Sequence, residues 1–143
     1  MSEARNVATL ERFVEEVINQ GQFEAADELV EENFVELDPF PGQQQGREGL
    51  KDVIRMMRIG FPDIHWTVEE TIASGDKVVS RFKWTGTQRG EFLGIPATGR
   101  KVTVPGVVID RLNDGKMADS RILMDTLGMM QQLGVIPRPG GPA

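Results

Sequence analysis

The chain has 143 residues, a net charge of −6, 39% hydrophobic and 27% charged residues. These values fit one ordinary globular domain, of a size that buries about 70% of the surface its unfolded form exposes. The acidic balance, with scattered positive residues and no basic tract, argues against a nucleic-acid or anionic-membrane partner. The absence of cysteine excludes disulfides and thiolate metal sites, and a lone histidine, His65, excludes a histidine-rich metal cluster. The opening residues MSEARNVATLERF show no leader-type apolar segment, and no run of about 18 apolar residues occurs. The expectation is therefore a cytoplasmic protein without a membrane span.

Val7, Leu10, Phe13, Val14, Val17 and Ile18 recur at helical spacing, with Glu11, Arg12, Glu15 and Glu16 between them. That spacing predicts an amphipathic helix ended by Gly21. Phe23, Ala26, Leu29 and Val30 predict a shorter second helix. Residues 33–40 read as a short strand, closed by Pro39 and Pro41-Gly42. Residues 47–59 form a third predicted helix, with Leu50, Val53, Ile54 and Met57 on one stripe, stopped at Phe61-Pro62-Asp63. From Ile64 the period changes to two, with Ile64, Trp66 and Val68 alternating with His65, Thr67 and Glu69. A hairpin turn at residues 74–77 leads into a strand over 78–87, with Phe82 and Trp84 on one face and Arg81 and Lys83 on the other. Residues 102–112 and 117–125 pair across the turn Asn113-Asp114-Gly115, and a short helical tail runs to Gly134. A single domain over residues 1–136 and a disordered tail over 137–143 are expected. Three helices before a run of antiparallel strands predict an α+β fold, with the sheet curved over the helices around a hollow. Gly86, Gly90 and Gly106 fall where such a sheet would take bulges or kinks.

The chemistry-bearing residues are few. GREGL, residues 46–50, lacks the lysine and serine of a phosphate-binding loop and reads as a helix start. His65 lies on the polar alternation of its strand, so a surface position is expected. Asp125 stands where the last strand meets the terminal helix. A carboxylate buried there suits proton transfer to or from a carbon acid; Asp is also a preferred helix cap, and the two roles are compatible. Arg121 is either an oxyanion partner in the cavity or a surface mate of Asp119. Spacing alone places it outside, because Ala118, Ile122 and Met124 form the more apolar face of that strand. Asp38, which shares its face with Glu36, is either a turn-former or a pocket carboxylate. Phe40, Trp66, Phe82, Trp84 and Phe92 read as core or pocket wall, and Val108 joins them as a wall residue.

The succession GREGL, FPDIHWTVEE, SGDKVV, GTQRGEFLGIPATGRKV and DGKMADSRILMDTLGMMQQLG resembles the SnoaL-like polyketide cyclases, also called ester cyclases, within the nuclear-transport-factor-2-like superfamily. The resemblance runs from about Asn6 to Gly134, and GEFLGIPATG and DTLGMMQQLG carry most of it. It implies a cone of three N-terminal helices in a strongly curved, mostly antiparallel sheet, assembled as a homodimer. It implies cofactor-free and metal-free acid/base chemistry on an enolisable polycyclic ketone: aldol ring closure or, in a related branch, hydroxylation. A non-catalytic small-molecule-binding or dimerisation domain on the same scaffold is the other reading. By the resemblance Asp125 is the acid/base carboxylate. The family's histidines are replaced in Leu37-Asp38-Pro39, Gly86-Thr87-Gln88 and Asp119-Ser120-Arg121, and Arg121 takes a tryptophan's place, which implies that it faces the pocket. The implied catalytic pair is Asp125 and Arg121, with Asp38, Phe40, Trp66, Phe82, Trp84, Phe92 and Val108 around the substrate.

Overall fold

A computed structural model describes residues 2–137; the expected disordered tail lies, from residue 138 on, outside the described residues. The first amphipathic stretch is one continuous helical rod in two windings. Helix α1 spans Ser2–Arg12, and Phe13–Asn19 continues it as a π-helix, a wider winding that frequently marks functional positions. A 3-10 turn at Phe23–Ala25 leads into α2, only Ala26–Leu29, so the predicted second helix is shorter than its periodicity suggested. Strand β1 (Val30–Glu36) begins three residues earlier than expected. Helix α3 (Gly46–Gly60) buries Ile54 and Met57, and the backbone N–H of Phe61 closes it on the Met57 carbonyl at 2.8 Å.

The strands follow: β2 (His65–Ser74), β3 (Lys77–Thr87), β4 (Lys101–Asn113) and β5 (Lys116–Met124), with α4 (Thr126–Leu133) last. They form one five-stranded sheet in the order β1-β5-β4-β3-β2. All its pairings are antiparallel except β1 with β5. The fold is α+β, as the change of period predicted. Side chains of a strand alternate between faces. Val78, Phe82 and Trp84 of β3 and Val102, Val104 and Leu112 of β4 are buried against the helices with Phe13, Val17, Phe34 and Ile54. No helix among the described residues is long and apolar enough to cross a membrane.

The expectation for the glycines needs correcting. Register shifts fall between Val30 and Val35, between Val68 and Glu70 and between Arg111 and Leu112, not at Gly86, Gly90 or Gly106. Those glycines serve close packing instead. A Cβ on Gly86 would stand 2.9 Å from the Phe61 Cβ, one on Gly106 would stand 2.5 Å from the Phe82 Cζ, and one on Gly90 would run into the Ile59 carbonyl.

Candidate functional site

The concave face of the sheet and the α1, π and α3 helices enclose a cavity with mostly apolar walls. About 110 Å³ of it is open to the centre of a water molecule, several times what one water needs. Phe34, Trp66, Phe82, Val108, Ile122 and Met124 line it from the strands, and Phe13, Val14 and Ile18 line it from the π segment.

Into this mostly apolar space the sheet delivers the paired hydroxyls of Thr71 and Ser80 and, further along, a row that carries carboxyls. Pairing places Asp110 of β4 opposite Ser120 of β5, and Ser120 beside Glu36 of β1. All three line the cavity. Adjacent strands lie about 4.8 Å apart, so the backbones of Asp110 and Glu36 are about 10 Å apart with Ser120 between them. Asp110 is only 3% exposed, and its Oδ1 has no hydrogen-bond partner. Burial pushes its carboxyl up to about 7; the Ser120 hydroxyl bond pulls the other way, and the nearby Glu36 and Asp119 charges add to the rise. Glu36 is likewise pushed up to about 7, first by burial, against the lowering effect of the Asp38 and Leu37 backbone N–H groups. The Asp38 N–H donates to Glu36 Oε2 at 3.1 Å. Two carboxyls that change protonation near neutrality can each take up or release a proton at little cost. Among the described residues no group of three or more His, Cys, Asp or Glu is arranged to hold a metal ion.

The opposite end of the cavity has another character. Arg58 lines it and donates from Nη1 to the carbonyls of Ile18 and Asn19 at 2.7 and 3.0 Å. Asn19 in turn clamps the backbone of Trp66, accepting from its N–H at 2.8 Å and donating to its carbonyl at 3.1 Å. The Trp66 ring stacks on Phe82 with centroids 4.1 Å apart and planes 16° apart.

Of the residues expected at the site, Asp38, Phe40, Trp66, Phe82 and Val108 line this cavity, and His65 is exposed as its alternation required. Four expected residues do not line it. Trp84 and Phe92 belong to a closed aromatic cluster behind the cavity, edge-on to Phe61 at 5.0 and 5.2 Å, and the Trp84 indole N–H reaches Met124 Sδ at 3.4 Å. Arg121 points outward, 60% exposed in its side chain, with Asp38 Oδ1 at 3.8 Å as its ionic neighbour. The inward positions of β5 are Ser120, Ile122 and Met124, as spacing had indicated and the resemblance had not. Asp125 is exposed and caps α4, its Oδ1 accepting from the Gly128 N–H at 2.9 Å. Its carboxyl packs so closely on Gly128 that a Cβ there would collide with it.

Asp110 was not singled out from the sequence, and Glu36 and Ser120 were named only as neighbours in other patterns. The available signal was a lone carboxylate in the set Val104, Gly106, Val108, Asp110, Leu112, where every other side chain is apolar or absent.

A curved sheet closed by helices over an apolar, acid-bearing cavity defines an α+β domain built around an internal pocket. The sequence pattern of SnoaL-like polyketide cyclases matches residues 8–133, and the chain belongs to that family. It is 27% identical over 129 residues to the aklanonic acid methyl ester cyclase DnrD of Streptomyces peucetius, covering 87% of this chain and 88% of that one. The structure of TsrD from Streptomyces laurentii is similar at a TM-score of 0.87 and 31% identity, over 95% of this chain and 99% of that one. A structure from Jannaschia sp. CCS1 is similar at a TM-score of 0.84 and 30% identity, over 95% of this chain and 96% of that one.

Proposed function

We propose that this protein is an acid/base enzyme that acts on an enolisable, polyketide-like ketone held in the central cavity, with Asp110 and Glu36 as its proton-carrying groups. The observation that carries the reading is the Asp110 carboxyl, buried in an apolar wall with an unpartnered oxygen. A buried carboxyl without a full set of partners is costly to keep, and such costs concentrate where a group has work to do. The family and the cyclase relative support ring closure as the overall reaction. In that reaction ionised Asp110 takes the proton α to a carbonyl, and the carbanion attacks a second carbonyl carbon of the same molecule. A carbon–carbon bond forms, the carbonyl π pair becomes an alkoxide, and a carboxylic acid of the row returns one proton to it. No atom is gained or lost. Glu36 is the second carboxyl of that exchange, and Ser120 positions the first. Asp125 serves as a helix cap in this reading, and Arg121 as a rim residue beside Asp38. A second copy of the chain covers the outer sheet face, where Val107, Ile109 and Leu123 stand exposed; a monomer mass in light scattering would exclude that part.

The test is proton exchange, the step that any chemistry through the enolate shares. With 2-tetralone in deuterated buffer under nitrogen, the protein should accelerate exchange at C1, and Asp110→Asn should abolish the acceleration. Exchange at the uncatalysed rate with the wild-type protein refutes the proposal. Oxygen uptake on admitting air would turn the reading from ring closure to hydroxylation.

A further inference from the structure

The polar row accounts for one end of the cavity and leaves the other unexplained. Trp66 is 8% exposed and lines the cavity, yet its indole Nε1 is buried without a partner. Buried indole N–H groups usually find an acceptor. The nearest amide is already engaged, since Asn19 spends both its side-chain groups on the Trp66 backbone. Stacking on Phe82 covers one face of the ring, and the clamp fixes its backbone, which together restrict the ring. An indole proton has no rotor with which to seek another acceptor. The chain's second tryptophan gives the contrast: Trp84 is fully buried and its N–H has Met124 Sδ at 3.4 Å.

We propose that the indole N–H of Trp66 is a second anchoring point of the cavity. It takes a carbonyl oxygen at the end of an elongated, largely apolar ligand opposite to the carbon that Asp110 serves. The identity of the reacting end rests on the acid/base reading above; the anchoring point does not. Two further observations favour an acceptor there. Arg58, linked to Trp66 through Asn19, brings a positive charge to this end, beside the Glu15 carboxylate that accepts from Asn19 Nδ2 at 3.3 Å. At the other end Glu36, Asp38 and Asp110 have Arg121, 3.8 Å from Asp38, as their cationic neighbour, so carboxylates outnumber cations there and do not here. The register sets the span. Trp66 pairs with Trp84 and Trp84 with Val104, so Asp110 lies six residues further along β4. That is about 20 Å along an ideal strand, an upper bound that side-chain reach and the curl of the sheet shorten. A compact ligand with its only carbonyl next to the reacting carbon would leave the indole N–H unused.

Two probes of nearly equal shape, one with and one without the distal acceptor, test this: 6-acetyl-2-tetralone and 6-ethyl-2-tetralone, the exchange of each being read against its own uncatalysed rate. The wild-type protein should bind the acetyl compound about tenfold more tightly, the worth of one ordinary hydrogen bond. Trp66→Phe keeps the ring stack and removes the donor, so it should bind both probes equally. In case Trp66→Phe disturbs folding, the wild-type protein supplies a second readout. The Trp66 indole proton resonance should move downfield with the acetyl probe and not with the ethyl probe, while that of Trp84 stays. Equal affinities in the wild-type protein, a preference that survives Trp66→Phe, an unmoved Trp66 resonance, or no binding of either probe would each overturn the anchoring point. Deuterium exchange at C1 of the same probes separates the two ideas. Exchange without preference removes the anchor and keeps the acid/base reading, and preference without exchange does the reverse.

Discussion

Asp110 and Asp125 belong to one hairpin, the first within β4 and the second just past the end of β5, and they differ in almost every physical respect. Asp110 is three residues from the end of β4 on the concave face, buried in the cavity wall, with one carboxyl oxygen unpartnered. Asp125 is one residue past the end of β5, exposed, with an oxygen on the Gly128 N–H. Burial pushes the first carboxyl up to about 7; the second does the work of a dipole partner at a helix start. A carboxylate's chemistry is set by its solvent and its unmade bonds, and position next to a recognisable sequence motif says little about either.

The largest expected effect breaks the comparison if it fails. Asp110→Asn should lower the rate of C1 exchange on 2-tetralone by roughly 100- to 10,000-fold, the usual worth of a general base. Asp125→Asn should leave that rate at the wild-type level, since asparagine caps a helix as well as aspartate does. A reversed result would return the chemistry to the β5–α4 junction.

The pH dependence of stability sharpens the contrast. Asp110 ionises from an ordinary 3.8 when unfolded and from about 7 when folded. Between those values the folded state holds more protons, so stability falls as pH rises, by at most about 1.4 kcal/mol per pH unit for this group. Glu36 acts with the same sign between 4.5 and about 7. Above about 7 the loss is complete. Exposed Glu15, Asp27 and Asp63 and half-buried Glu16 have lowered values and act oppositely, losing their contribution only as pH falls below the ordinary carboxylate range. Urea melts at several pH values should therefore show the protein most stable in mild acid. The slope above pH 5 should flatten in Asp110→Asn and persist in Asp125→Asn.

Ser120→Ala tests the middle of the row. The Ser120 hydroxyl favours the ionised form of Asp110, so its removal should move the alkaline-rising limb of the exchange profile to higher pH. One hydrogen bond of about 1 kcal/mol corresponds to a displacement of somewhat under one pH unit. An unmoved profile would separate Ser120 from the titrating group.

Why the row escaped the sequence has a physical cause. Helix and strand periods located nearly every element, because the apolar stripes of residues 7–18 and 47–59 and the alternation after Ile64 are strong. On β4 the inward set is apolar apart from Asp110, but Val107 and Ile109 make the outer set apolar beside it, so the alternation marks Asp110 less sharply than a clean polar and apolar alternation would. Counting back from the Asn113-Asp114-Gly115 turn does not help either. Strict pairing of Asn113 with Lys116 and Leu112 with Met117 would set Asp110 against Asp119. The bulge between Arg111 and Leu112 slips the register by one and sets it against Ser120 instead. For Arg121 the opposite happened: the alternation of β5 placed it outside correctly, and the resemblance to a pocket tryptophan turned it inward.

The smallest effect belongs to Asp125, and it is informative because it should be confined to stability. Helix α4 has eight residues and buries Met129 and Leu133. Its first turn offers backbone N–H groups that the helix itself leaves unmade, and Asp125 satisfies that of Gly128. Asp125→Ala leaves this donor to water and removes a negative charge from the positive end of the helix dipole. The cost should be about 1 kcal/mol, visible as a lower urea midpoint with an unchanged slope. Asp125→Asn should recover most of it, because the amide oxygen can accept the same bond. The C1 exchange rate should stay at the wild-type level in both variants wherever the protein remains folded. The Asp125 N–H also donates to the Pro105 carbonyl at 2.9 Å, a backbone bond that neither substitution touches, so the strand end should hold its place. A loss of exchange in Asp125→Ala that Asp125→Asn restores would tie the cap to the cavity through α4. A loss in both variants at full stability would make Asp125 part of the chemistry after all.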